Sequence, residues 1–140
     1  MLERKLKGHD YMQAHIEFNE NRTKEVLVSY YTPVVYRHIG QAIVEDLGVL
    51  PLNAKETYWC SGLYSSMTIK HISLYCRECG ISYYDLKLIA NTNWYLLIVD
   101  GINPYVRMYY NPNTGEILQV NVGEKESYYK RMRKYICQNN

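Results

Sequence analysis

Long hydrophobic runs are missing from this chain. The longest, Trp94 to Val99, is far too short to cross a bilayer. A disulfide framework is excluded as well: Cys60, Cys76, Cys79 and Cys137 are too few and too unevenly spaced. A domain of 140 residues needs neither a disulfide nor a metal to fold. Charge of one sign is also lacking, and a formal net charge of +2 permits nucleic acid as a partner without demanding it. No glycine-rich phosphate loop, paired-carboxylate motif or His-Glu-x-x-His is present. The opening Met1-Leu2-Glu3-Arg4-Lys5-Leu6-Lys7 turns polar at once. The expectation is therefore a protein without a signal peptide or membrane partner, held in the cytoplasm with its cysteines as thiols.

Phenylalanine is scarce where tyrosine is abundant: 1 Phe and 2 Trp stand against 16 Tyr, with Tyr-Tyr pairs at 30–31, 83–84, 109–110 and 128–129. An apolar ring with a polar tip suits interfaces and half-exposed sheet faces. Codon bias accounts for the number, since Asn, Ile and Lys are plentiful too. The information lies in where the tyrosines fall.

Residues 11–18 alternate, with Met12, Ala14, Ile16 and Phe18 facing one way and Tyr11, Gln13, His15 and Glu17 the other, which predicts a half-buried strand. A polar turn at Asn19–Thr23 leads to a second strand over Glu25–Tyr31, completing a hairpin. Thr32-Pro33 marks a break or an edge, and Val34–Ile39 forms another strand. Residues 40–57 fit a helix or a strand equally, and Tyr58–Leu63 a strand or an extended loop. A helix is predicted from Ser66 to Cys79, capped by Ser65 or Ser66 and stopped by Gly80, with Ile69, Ile72, Cys76 and Cys79 as its apolar stripe. A short helix follows, with Ser82 and Asp85 as a capping box and Leu86, Leu88 and Ile89 as its core residues. Trp94–Val99, Tyr105–Tyr110 and Glu116–Val122 read as a meander, separated by Asp100-Gly101 and by Asn111–Gly115. A closing helix over Lys125–Cys137 turns Tyr128, Met132, Tyr135 and Ile136 inward and Lys130, Arg131, Arg133 and Lys134 outward. The fold class is α+β: one domain over 1–140, mainly antiparallel sheet, with about three helices.

Several residue sets invite chemistry. Cys76-Arg-Glu-Cys79-Gly80 has the spacing of half a zinc site, with His71 or Cys60 as further ligands. No second pair completes the tetrahedron, and both sulfurs fall on the apolar stripe, so core packing is the preferred reading and no cofactor is expected. His71 lies about 200° from Ile69 around the helix and is expected to point away from that stripe. A redox role is disfavoured because the thiols sit at a helix C-terminus. Cys60 beside Ser61-Gly62 lacks a spacing that would supply His38 or His71 as its base. Tyr105, Arg107 and Tyr109 fall on one strand face. Together with Lys130, Arg131, Arg133 and Lys134 they would suit stacking and neutralisation of single-stranded nucleic acid. A solvated Tyr/Arg ladder is the plainer account.

Val26-Leu-Val-Ser-Tyr30-Tyr-Thr-Pro33-Val-Val-Tyr36, followed by Tyr64-Ser-Ser-Met-Thr68-Ile-Lys70-His71-Ile72, resembles a family of small bacteriophage proteins of unknown function. Those show a Ser-Tyr-x-Thr-Pro-Val strand and a Ser-x-Thr-Thr-x-Lys-His-Ile helix start. Met67 departs from the pattern, and residues 37–63 make a longer connection than the family's short hairpin. The resemblance implies a phage or mobile-element accessory protein in the bacterial cytoplasm, with inhibitors of host defence of the anti-CRISPR type as an analogy. The expectation is a non-enzymatic binder of a host protein or protein–nucleic-acid complex, with a homodimer compatible. A nucleic-acid binder and a small zinc protein stand as alternatives.

Overall fold

A computed structural model describes residues 2–8 and 13–140. The β-formers build one antiparallel sheet in which every strand pairs with its sequence neighbours: β1 (Leu2–Lys5), β2 (Ala14–Phe18), β3 (Lys24–Ser29), β4 (Thr32–Ile39), β5 (Glu56–Cys60), β6 (Tyr95–Ile98), β7 (Val106–Asn111) and β8 (Glu116–Asn121). Helix α1 (Gln41–Leu47) and a 3-10 turn (Pro51–Asn53) join β4 to β5. Helices α2 (Ser66–Cys79) and α3 (Tyr83–Lys87) join β5 to β6, and α4 (Glu126–Gln138) follows β8. The expected hairpin and meander are thus parts of one continuous sheet, with β5 between them.

Register fixes which residues meet the helices. One row runs Leu2, Phe18, Glu25, Arg37, Tyr58, Leu96, Tyr109, Leu118 across all the strands. Against this face lie Ile72, Tyr75 and Cys76 of α2, Leu86 of α3 and Ile136 of α4, with Trp94 wholly enclosed. Each fully buried Leu or Ile here contributes about 1.5–3 kcal/mol. The same face also carries a charged cluster. Arg4 Nη1 donates to Glu78 at 2.7 Å and Arg37 Nε to Glu56 at 2.8 Å, while both guanidinium groups reach Glu25 at 3.2–3.3 Å. Burial alone would raise the Glu25 carboxyl. The Tyr75 hydroxyl, donating at 2.7 Å, and the charges of Arg4 and Arg37 more than offset that and hold it below the ordinary value.

Three local expectations are corrected. Pro33 marks neither a break nor an edge: β4 is an inner strand, and a register shift after Leu27 places Pro33 opposite Val28, where a bulge accommodates its missing N–H. His71 does not point away from the apolar side of α2 but is wholly buried, because the inward face is Thr68, His71, Ile72, Tyr75 and Cys76. β1 was not expected, and the part of the predicted strand at Tyr11–Met12 lies outside the described residues. The caps stand as expected: Ser65 Oγ accepts from Thr68 N, Gly80 adopts φ 74°, and Ser82 with Asp85 closes a capping box.

Candidate binding site at one end of the sheet

Antiparallel order brings several connections to the same end of the sheet: the β3–β4 turn at Tyr30–Tyr31, residues 61–65 before α2, residues 91–93 before β6, and the β7–β8 turn at 112–115. They hold one another through hydrogen bonds. Tyr30 N donates to Gln13 O at 2.8 Å, Ser61 N to Val34 O at 2.9 Å, and Asn91 N to Cys60 O at 3.1 Å. The Trp59 indole N–H donates to Thr92 O at 2.8 Å, and Asn111 Nδ2 donates to Asn139 O at 2.8 Å.

Under the β3–β4 turn, Ser29 Oγ lies 2.7 Å from His71 Nδ1 and 3.1 Å from Thr68 Oγ1, all three buried. This is why the buried stripe of α2 includes two polar residues: the strand supplies their hydrogen bonds. The Tyr30 ring packs on His71, centroids 5.6 Å apart. Residues 26–36, as the hairpin, and residues 64–72, as the start of α2, therefore meet here.

The side chains displayed are aromatic and neutral. Tyr31 is 96% exposed, Tyr64 66% and Tyr30 45%. Tyr30 (φ 49°), Tyr31 (φ 72°) and Tyr64 (φ 52°) all occupy the left-handed region, which costs an L-residue with a Cβ about 1–2 kcal/mol each. Gly62 makes room for Tyr64, since a Cβ there would meet the Tyr64 ring at 3.1 Å, and the Tyr64 hydroxyl donates to Ser61 Oγ at 3.2 Å. Beside this end, on the sheet face turned away from α2–α4, Tyr36 pairs with Trp59 (rings 5.3 Å apart) and Tyr95 with Tyr110, all half-buried. Residues 30–31, 61–65, 91–93 and 112–115 contain no Lys, Arg, Asp or Glu, while the β1–β2 connection at this end carries Lys7. The connections at the opposite end carry Glu20, Arg22, Glu45, Asp46, Lys55, Asp100, Glu124 and Lys125.

The residues read from the sequence as a nucleic-acid face are dispersed. Tyr109 is wholly buried in the core row and its hydroxyl donates to Asp85 O at 2.8 Å. Arg107 is half-buried, donating from Nε to Asp85 at 3.1 Å and from Nη1 to Pro104 O at 2.8 Å, and of the three only Tyr105 is exposed, at the charged end. The strand face expected to be solvated is thus the helix-facing one. Arg133 does not point outward either: it donates to Leu88 O at 3.0 Å and Ala90 O at 2.8 Å, fastening α4 to the α3–β6 connection. Lys130, Arg131 and Lys134 remain exposed, with Lys130 3.5 Å from Glu126 and the Arg131 guanidinium over the Tyr128 ring.

Cys60 and Cys76 are packed rather than poised, Cys79 is half-buried and Cys137 is exposed. Cys60 is wholly enclosed and burial pushes its thiol up to about 11; burial also raises Cys76 and Cys79. Among the described residues, the side chains that bring three metal-ligating atoms within 4.8 Å of one another are Glu3, His15 and Glu17, not the Cys76–Cys79 pair. Among those residues no helix is long and apolar enough to cross a membrane.

Sequence reasoning missed Tyr30, Tyr31, Tyr64, Tyr36 and Trp59. The available signal was a Tyr-Tyr pair standing where a tight hairpin turn asks for Asn-Gly. No family model matches the chain, and no curated protein and no solved structure shows significant similarity to it.

Proposed function

We propose that this chain is a non-enzymatic binding protein that masks a protein surface with the tyrosine-bearing turns at one end of its sheet. The observation that carries the reading is the display of Tyr30, Tyr31 and Tyr64 on left-handed backbone amid Ser, Asn, Thr and Gly. Backbone strain of this kind persists where the surrounding structure imposes it, and it clusters at functional sites. The composition matches that of antibody binding loops, where Tyr supplies contact area at low entropic cost and Ser, Gly and Asn adaptable hydrogen bonds. Depletion of charge suits the core of a protein–protein interface and is the reverse of what a phosphate backbone attracts. The resemblance of residues 26–36 and 64–72 adds the narrower expectation: a phage or mobile-element accessory protein whose partner is a host macromolecule, with inhibition of bacterial defence as the narrowest form.

The test is affinity capture from bacterial lysate on the wild-type chain and on Tyr31→Ala/Tyr64→Ala, with captured species identified by mass spectrometry. A protein enriched on the wild type and lost on the variant supports the reading. Equal capture by both overturns it. So would oligonucleotide binding that falls steeply with salt and is lost when Lys130, Arg131 and Lys134 are replaced by Ala.

A further inference from the structure

At the outer edge of the sheet, on the face opposite α2–α4, Glu3 of β1 stands directly across from Glu17 of β2. His15 lies two residues before Glu17 on the same side, and Lys5 is its cross-strand partner. His15 Nε2 is 2.9 Å from Glu17 Oε2 and 3.9 Å from Glu3 Oε1, and one ligand atom from each of the three side chains lies within 4.8 Å of the others. His15 and Glu17 are half-buried, with side-chain exposures of 30% and 33%.

We propose that Glu3, His15 and Glu17 form a divalent transition-metal site that fastens edge strand β1 to β2. Metal–nitrogen and metal–oxygen bonds of about 2.0–2.2 Å set ligand atoms in a tetrahedral site about 3.3 Å apart. The 2.9 and 3.9 Å separations bracket that spacing, so small rotations of the glutamate side chains bring the three atoms onto one ion. The imidazole matters to the choice of metal. Oxygen-only clusters suit Mg2+ and Ca2+, whereas one imidazole nitrogen with two carboxylates favours Zn2+ and its neighbours. Two paired strands hold the ligands more rigidly than a loop would. Without an ion, two carboxylates directly opposite one another destabilise a strand pair. Three protein ligands leave a coordination position open to water.

Zn2+ titrated calorimetrically into the full chain tests the site. The expected result is one ion per chain, with affinity lowered about tenfold or more by His15→Ala, at least the loss that even an outer-shell change produces. Glu17→Gln, which keeps the side chain's size at a half-exposed position, gives the same loss and guards against a folding defect in the first variant. Lys5→Ala removes the cation opposite His15 and tightens binding. Co2+ bound in place of Zn2+ shows no thiolate charge-transfer absorption, which separates this site from Cys76 and Cys79. A wild-type chain that takes up no Zn2+, a thiolate band, or equal affinity in wild type, His15→Ala and Glu17→Gln overturns the proposal.

Discussion

Two turns at the same end of the sheet reverse the chain in opposite ways. In the β7–β8 turn polar side chains and a glycine serve the reversal. Asn111 Oδ1 accepts from Asn113 N at 2.9 Å, Thr114 Oγ1 from Glu116 N at 3.2 Å, and the left-handed position at φ 77° is Gly115. In the β3–β4 turn both left-handed positions are tyrosines, where Asn-Gly is the low-energy choice. Both turns connect paired antiparallel strands. The difference therefore lies in what each turn displays. One is optimised as a connection; the other holds up aromatic rings at a cost to the fold.

Substitutions sharpen that contrast, and the largest effect belongs to the optimised turn. Asn111 is wholly buried and also donates to Asn139 O, which fastens the end of α4 to β7. Asn111→Ala leaves the Asn113 amide without its acceptor and removes one of two donors to the Asn139 carbonyl, the Trp94 indole being the other. A loss of about 2–3 kcal/mol in urea unfolding is expected. Gly115→Ala comes next. A Cβ there meets nothing within 4 Å, so the expected loss of about 1–2 kcal/mol comes from backbone conformation alone. A neutral Gly115→Ala, measured the same way, would remove the premise that left-handed positions at this end are costly for ordinary side chains.

Much of this architecture is legible in the residues themselves. Helix α2 ends where its Ser65 cap and Gly80 stop place it, and the meander over β6–β8 follows its turn signals. Part of what escaped has one physical origin: charges on the inner face. Arg4 alternates with Glu3 and Lys5, so β1 shows no apolar period. Glu25, Arg37 and Glu56 similarly interrupt the inward pattern of β3, β4 and β5. Their inward orientation becomes intelligible only when partners on other strands and on α2 are assembled around them. Tyr109 misled in the same manner, since alternation along β7 does not say which face is covered. Of the candidate site, the sequence offered Ser29, Thr68 and His71 only as strand and helix residues. Their convergence beneath Tyr30 depends on α2 crossing β3, and no local pattern encodes that crossing.

The smallest expected change separates the two turns most cleanly. Tyr31 is almost fully exposed, so replacing it removes little packing, and Asn tolerates the left-handed backbone far better than an aromatic residue. Tyr31→Asn should therefore stabilise the chain by about 1 kcal/mol in urea unfolding, through strain relieved in the folded state. Tyr31→Gly, which puts glycine where the Asn-Gly turn has it, should stabilise at least as much. The same Tyr31→Asn chain should fail to capture the partner that the wild type captures. Gain in stability with loss of binding is the signature of a residue kept for display. If Tyr31→Asn instead lowers stability, the ring is part of the fold and the contrast between the two turns disappears.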